Sequence, residues 1–233
     1  MKAGIVGLDW TDHNAIELLE NGAEFFPALC QAIDEARVSV HLETYIFHPD
    51  RTGEQVLCSL ERAARRGVKV RVVLDGFGSA DTAKTVGDRI VMAGGYCRIY
   101  RPEPPWYGRL VPRRSRLRRL HRKIAVVDGD VAFIGGINYS AEHMTDYGPE
   151  AKQDYAVRVE GPLVQSIHAS TRNLWRRLAW MHLREVEVYP ALPEPGFIHG
   201  GMRAAFVVRD NVLHRRDIER AYLKAIGKAR VEV

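Results

Sequence analysis

Hydrophobic positions along the chain switch repeatedly between the three-to-four-residue spacing of helices and the shorter runs typical of strands. The helical spacing predicts helices at residues 23–37, 54–66, 80–93 and 163–180. The shorter runs predict strands at residues 38–47, 68–74, 96–100, 121–127, 130–134 and 155–159. An extended lead-in is expected at residues 14–19, and turns at residues 21–22 and 49–53. This alternation predicts an α/β fold with a parallel or mixed sheet flanked by helices.

Two of the predicted strands are joined by Asp128-Gly129, a dipeptide typical of two-residue β-hairpins. A two-residue turn at this point puts His121 opposite Gly136, with Asn138 just beyond. The polar residues near both strand ends are therefore expected to lie close together.

A short internal repeat divides the chain. Residues 31–40 are QAIDEARVSV and residues 224–233 are KAIGKARVEV, which are identical at six of ten positions. The repeat predicts a duplicated architecture, with a first unit at residues 1–186, a linker at residues 187–202 and an incomplete second unit at residues 203–233. On this interpretation the chain is a truncated fragment; the alternative is that two helix-to-strand joints share the pattern by chance.

The composition is that of a globular protein. Of 233 residues, 46% are hydrophobic and 27% are charged, and the mean hydropathy is -0.23, which excludes intrinsic disorder. The three cysteines lack C-x-x-C spacing, so neither a disulfide framework nor a thiolate zinc site is expected and a reducing compartment is favoured. No pair of histidines has metal-ligating spacing. Because no signal-peptide core and no long apolar window occur, neither export nor a membrane-spanning helix is expected.

Positive charge is concentrated in residues 109–123. The net charge is +5 and the pI is near 9.2, and this segment holds seven arginines and one lysine without an acid. Such a block favours a partner that carries phosphate, either nucleic acid or phospholipid headgroups. Most of it falls in a long irregular loop predicted at residues 101–120, which is either solvated or in contact with an anionic membrane. The arginines expected at the membrane are Arg113, Arg114, Arg116, Arg118 and Arg119.

The predicted hairpin carries a spaced set of residues, His121-x-Lys123-x4-Asp128-x6-Gly135-Gly136-x-Asn138. Side chains two apart on a strand share a face, so His121 and Lys123 can meet one phosphate. A neutral histidine can attack phosphorus, while Lys123 neutralises the non-bridging oxygens and Asn138 donates to them. The glycine pair is expected to leave room for a ligand to approach the backbone. The alternative is the solvated edge of a surface hairpin, which is typical of an isolated His-x-Lys.

This spacing resembles the HKD motif of the phospholipase D superfamily at every position quoted. The resemblance extends over nearly the whole chain and is strongest to bacterial cardiolipin synthases of the B type, in stretches such as LETYIF, AARRGVKVRVVLDGFGS and AFIGGINYSAEHM. It implies a phospholipase D-like mixed sheet and a phosphatidyl transfer without metal or cofactor, in which two phosphatidylglycerol molecules give cardiolipin and glycerol through a phosphohistidine. It also implies a peripheral enzyme on the cytoplasmic face of the inner membrane, for which nucleic acid is not the expected partner.

The resemblance assigns roles to the motif residues: catalytic His121, Lys123 and Asp128, and substrate-binding Gly135, Gly136 and Asn138. In related enzymes an acid at the start of the next strand orients the imidazole, and Asp154 occupies that place. A carboxylate that fixes the imidazole tautomer also has an independent physical rationale. The alternative is that Asp154 is only a hydrophilic strand opening. Glu43 is a weaker site candidate, because a carboxylate inside the apolar run HLETYIF needs a partner.

One departure from the superfamily pattern matters for catalysis. Cardiolipin synthases carry two HKD motifs, whereas some single-motif relatives dimerise, and the chain has no second His-x-Lys-x4-Asp. Either the nucleophile or the general acid is therefore missing, and a C-terminal half or a second subunit is expected to supply it. Two further alternatives stay open: a phosphodiesterase that hydrolyses phospholipid or DNA, and a binding module without turnover.

Overall fold

The computed structural model describes residues 9–102, 119–181, 200–208 and 216–232. The strands in these ranges are β1 (Trp10–Glu20), β2 (Ser39–Thr44), β3 (Lys69–Asp75), β4 (Tyr96–Tyr100), β5 (Ile124–Val127), β6 (Val131–Gly135), β7 (Tyr155–Glu160) and β8 (Met202–Ala205). The helices are α1 (Asn21–Glu35), α2 (Arg51–Arg65), α3 (Ala83–Met92), α4 (Leu163–Met181) and α5 (Asp217–Ile226). Two short 3-10 turns, Ala141–His143 and Thr145–Tyr147, lie between β6 and β7.

The described strands form one mixed sheet in the order β4-β3-β2-β5-β6-β7-β1-β8. β2, β3 and β4 run parallel, with α2 and α3 as their connections, and the other neighbours are antiparallel. Every residue of β2 is buried, as expected for a parallel strand that is covered on both faces. These features confirm the predicted mixed sheet flanked by helices.

Successive side chains of a strand point to opposite faces of the sheet. Helices pack on both of these faces. Val40 and Leu42 of β2 belong to a core cluster that also contains apolar residues of α1, α2 and α3. On the opposite face, Ile124 and Val126 of β5 pack with Ile167 of α4. The strand ends between these layers carry the polar residues described below.

Three helices begin at residues other than those predicted. α1 begins at Asn21, which has the positive φ of 54° that suits the predicted turn. α2 begins at Arg51, because the Asp50 carboxylate accepts hydrogen bonds from two backbone N–H groups of the first turn. α3 begins at Ala83, because the preceding residues 76–82 form turns. Local capping and turns therefore moved the boundaries without changing the order of elements.

The hairpin between β5 and β6 has a register one residue different from the prediction. Val127 pairs with Val131, so the connection has three residues, of which Asp128 and Gly129 have positive φ. β5 begins at Ile124, and His121 precedes the strand instead of lying in it. The expected pairing of His121 with Gly136 is therefore wrong.

The C-terminal part of the described chain adds β8 as the edge strand beside β1, with Trp10 opposite Ala205 and Asn14 opposite Met202. The predicted loop at residues 101–120 and the predicted linker at residues 187–202 lie largely outside the described residues, and β8 begins at the last linker residue, Met202. None of the helices in the described ranges combines the length and hydropathy needed to cross a membrane.

Candidate active site

The polar residues of interest meet at one edge of the sheet. β2 and β3 end at this edge, and β5 and β7 begin there because they run antiparallel to their neighbours β2 and β6. The residues at or just beyond these strand ends are Tyr45, Asp75, His121, Lys123, Gly136, Asn138 and Asp154. The edge therefore gathers side chains from distant parts of the chain.

His121 and Lys123 form the centre of this edge. The Lys123 ammonium nitrogen lies 3.5 Å from His121 Nδ1. The Tyr45 ring packs against both, with its centroid 5.0 Å from the His121 ring and 5.3 Å from Lys123 Nζ. Lys123 is 6% exposed, whereas His121 faces solvent. The pair is thus open to a ligand on the His121 side, and Tyr45 is a contact that the sequence analysis missed.

Burial and mutual repulsion change the protonation of this pair. Partial burial and the Lys123 charge lower the pKa of His121, and the Asp75 carboxylate opposes them. Burial also lowers the pKa of Lys123, against the attraction of Asp154. The neutral imidazole therefore persists to more acidic pH than in a free histidine, and an anion between the two groups would relieve the repulsion.

Asp75 fixes the backbone on one side of His121. Its carboxylate is fully buried and accepts hydrogen bonds from the N–H groups of Phe77 at 2.9 Å and Gly78 at 3.0 Å. Its other oxygen accepts from Leu120 N at 2.7 Å. Sequence reasoning missed Asp75, although an acid that ends a buried β-branched strand was the signal.

The glycine pair makes room for protein, not for a ligand. A Cβ at Gly136 would collide with both carboxylate oxygens of Asp154, and one at Gly135 would lie 2.5 Å from Ala156 Cα. Gly136 N also donates to Tyr155 O at 3.0 Å. The glycines allow β6 to approach the start of β7, and a contact of Gly135 and Gly136 with the substrate stays a prediction.

Replacing Gly136 with alanine should displace the Asp154 carboxylate and lower the free energy of unfolding by about 1–3 kcal/mol, the range for overpacked sites. Gly201→Ala is the matched control, since nothing lies within 4 Å of a Cβ at that position. Thermal unfolding of both variants measures the difference. Equal melting temperatures would contradict the close contact between Gly136 and Asp154.

Asp154 does not contact His121. Within the described part of the chain, no hydrogen bond joins the two side chains, and Asp154 acts electrostatically on Lys123 and His143. Its backbone is held by Asn21, whose side chain accepts from Asp154 N at 2.8 Å. The structure therefore brings Asp154 to the same edge without the imidazole contact that was expected.

Asn138 reaches the edge through a short connection after β6. Its side-chain oxygen Oδ1 is buried without a hydrogen-bond partner among the described residues. Its backbone N–H donates to Nε2 of the buried His143 at 3.2 Å, and burial lowers the pKa of His143. His143 is thus a neutral support for Asn138, which the sequence analysis did not find.

Asp128 lies at the opposite end of β5. It is five residues from Lys123, or about 16 Å at the rise of an extended strand. Its carboxylate accepts hydrogen bonds from Arg37 N, Val38 N and Ser39 N, each at 2.8 Å. Asp128 therefore ties the hairpin to the start of β2, at the far end of β5 from His121, and its expected catalytic role stays a prediction.

Glu43 is completely buried on β2. Its Oε2 lies 3.1 Å from Arg122 Nε, and its Oε1 lies 3.3 Å from His41 Nε2. Burial lowers the pKa of His41. Glu43 therefore has the partner that its position required, but it touches neither His121 nor Lys123.

The arginine block is described only in part. Arg113, Arg114, Arg116 and Arg118 lie outside the described residues. The Arg119 guanidinium lies 4.3 Å from the centre of the Phe77 ring, and Phe77 is 53% exposed. Within the described ranges, no three His, Cys, Asp or Glu residues form a cluster that could hold a metal ion.

Comparison with known proteins adds relatives of the whole chain. The family described as cardiolipin synthase, PLD-like domain matches residues 29–175. Cardiolipin synthase B of Salmonella typhi is 45% identical, in an alignment covering 100% of this chain and 54% of that protein. Cardiolipin synthase B of Escherichia coli is also 45% identical, covering 96% and 53%. The chain thus spans about half the length of the curated relatives it matches.

A solved structure supports the same fold. The phospholipase D family member Nuc from Salmonella typhimurium has a TM-score of 0.53 at 19% identity, over 70% of this chain and 95% of that chain. The family match runs from the middle of α1 into α4 and includes the strand ends that carry His121, Lys123 and Asn138. On its fold and on matches that cover most of its length, the chain belongs to the cardiolipin synthase PLD-like domain family.

Proposed function

We propose that this chain is the N-terminal part of a cardiolipin synthase, a phosphatidyltransferase that converts two phosphatidylglycerol molecules into cardiolipin and glycerol. The supporting observation is the His121–Lys123 pair, with nitrogens 3.5 Å apart at an open sheet edge. The cardiolipin synthase B of Salmonella typhi, 45% identical over the whole chain, supports a phospholipid as the substrate of this pair.

In the first step, His121 attacks the phosphorus of phosphatidylglycerol through Nε2, since Nδ1 faces Lys123. A P–N bond forms, the P–O bond to the glycerol breaks, and the leaving oxygen takes a proton from a general acid. Lys123 and the Asn138 amide bind the non-bridging oxygens. In the second step, a hydroxyl of another phosphatidylglycerol attacks the phosphorus, loses its proton to that same group and releases the histidine.

The general acid is the part that this chain lacks. Attack by Nε2 requires a proton on Nδ1, and the neighbouring Lys123 ammonium cannot accept a hydrogen bond from it. We assign both the acid and this acceptor to a C-terminal half or a second subunit. The division into residues 1–186, 187–202 and 203–233 belongs to this proposal, with β8 near the boundary and paired with β1.

Product analysis tests the reaction. Phosphatidylglycerol vesicles incubated with the protein from the whole reading frame should yield cardiolipin and glycerol in equal amounts, measured by mass spectrometry of the lipids and an enzymatic glycerol assay. The 233-residue chain alone should be essentially inactive, because positioned acid catalysis contributes about 10²–10⁴-fold. Phosphatidic acid as the product would favour a hydrolase. Binding of phosphatidylglycerol without any product would favour a binding module without turnover.

We also propose that the protein binds the cytoplasmic face of the inner membrane peripherally, through the arginine block. Each arginine near an anionic surface contributes about 1 kcal/mol at low salt. Changing Arg113, Arg114, Arg116, Arg118 and Arg119 to glutamine should therefore weaken sedimentation with anionic vesicles, and added salt should weaken that of the unchanged protein. Equal sedimentation at low salt would mean that the block is only solvated.

A further inference from the structure

The segment that carries His121 and Lys123 is held by side chains on both sides. Residues 121–123 precede β5, and the pairing of β5 with β2 begins at Ile124 opposite Glu43. On one side, Asp75 accepts a hydrogen bond from Leu120 N at 2.7 Å. On the other side, Arg122 forms an ion pair with Glu43 at 3.1 Å. The segment therefore depends on two fully buried carboxylates.

Arg122 is fixed at two points away from the open side of the pair. Its guanidinium donates to Ser170 Oγ of α4 at 3.0 Å as well as pairing with Glu43. His121 and Lys123 instead contact the Tyr45 ring. Because neighbouring residues of an extended segment point in opposite directions, a clamp on Arg122 restricts both residues beside it.

Burial of the Glu43 carboxylate costs free energy of folding. A buried carboxylate loses its hydration, and an ion pair often contributes no more stability than apolar residues of similar size. Glu43 also has the His41 imidazole 3.3 Å away, and burial lowers the pKa of that group, which leaves it neutral. The Arg122 guanidinium forms an ion pair with the Glu43 carboxylate at 3.1 Å.

We propose that Glu43 is a positioning residue, which holds the His121–Lys123 pair in its phosphate-binding geometry through Arg122. The inference rests on the proposed function only in taking phosphate as the ligand of the pair. Side chains must be held within fractions of an ångström for such geometry, and small displacements of a bound group cost large factors in rate or affinity.

The test uses Glu43→Gln in the 233-residue chain, with inorganic phosphate as the probe. The pKa of His121 is followed by NMR, with the signal assigned from a His121→Gln spectrum. Release of the segment should raise this pKa towards its ordinary value, because burial and the nearby Lys123 charge lower it in the intact site. Phosphate affinity should fall by about tenfold or more. Loss of the Glu43 charge alone would shift the His121 pKa in the opposite direction, downwards.

Glu61→Gln is the matched control. Glu61 forms an ion pair with Arg89 at 2.7 Å, its side chain is 10% exposed, and it lies on α2. This variant should change the melting temperature while leaving the His121 pKa and the phosphate affinity unchanged. Arg122→Lys keeps the charge but loses the planar fork of the guanidinium, and it is the second variant if Glu43→Gln does not fold.

An unchanged or lowered His121 pKa in a folded variant would overturn the positioning role. If the unchanged protein binds no phosphate, the phosphate site of the proposed function fails. The His121 pKa, which needs no ligand, then still decides whether Glu43 acts on the segment. The two failures are therefore distinguishable.

Discussion

Replacing His121 with alanine should reduce cardiolipin formation by about a thousandfold or more in the protein from the whole reading frame. In the proposed reaction His121 makes the covalent bond to phosphorus, and the other described side chain that contacts Lys123, Tyr45, cannot replace a nucleophilic imidazole. If it were instead the general acid, the loss would still be about 10²–10⁴-fold. Initial rates of cardiolipin formation from phosphatidylglycerol vesicles measure the effect.

His13→Asn is the control for this variant. His13 is an exposed histidine near the start of β1, whereas the other end of β1 pairs with the start of β7. Its positive φ of 64° is one that asparagine tolerates. The His13 variant should retain full activity, and both variants should unfold at the same temperature as the unchanged protein. Cardiolipin formation at more than a tenth of the normal rate by His121→Ala would rule out its catalytic role.

Replacing Asp128 with alanine should lower the free energy of unfolding by about 3 kcal/mol. The carboxylate accepts three backbone hydrogen bonds, and each bond to a charged group contributes about 1.5–3 kcal/mol before allowance for solvent exposure. The backbone N–H groups of Arg37, Val38 and Ser39 lose that acceptor. Alanine is also strained at the positive φ of 51°. Urea unfolding followed by circular dichroism measures the loss.

The Asp128→Asn variant separates the contribution of the hydrogen bonds from that of the backbone strain. Asparagine tolerates the positive φ and keeps one acceptor oxygen for Val38 N and Ser39 N, so we expect a loss of about 1 kcal/mol. Neither variant should change the phosphate affinity of the folded protein, because Asp128 lies at the far end of β5 from His121. A stable Asp128→Ala protein that binds phosphate weakly would show that Asp128 contributes to the phosphate site.

Local patterns were sufficient for much of the fold. β4 has its predicted bounds, and α4 differs from the prediction by one residue, because apolar spacing reports directly which residues face the core. The spacing of His121 and Lys123 likewise predicted that the two side chains lie close together, because residues two apart on an extended segment point the same way. The roles of these residues in catalysis remain predictions.

Contacts between distant segments decided the rest. The spacing around Asp128 cannot reveal that its carboxylate meets the backbone of residues 37–39, some ninety positions earlier. The same holds for the glycine pair, which is needed because β7 brings Asp154 against Gly136. A motif lists residues that occur together in sequence, but strand direction determines which end of the sheet each one occupies.

Sequence alone was therefore sufficient to predict the order of helices and strands from α1 to α4 and the His121–Lys123 pair, since each depends on residues close together in the chain. Only the folded structure showed that the Asp128 carboxylate binds the backbone of residues 37–39 and that Arg122 pairs with Glu43. The physical reason is that hydrogen bonds and ion pairs act over a few ångströms, and the pairing of strands chooses which distant residues come within that range.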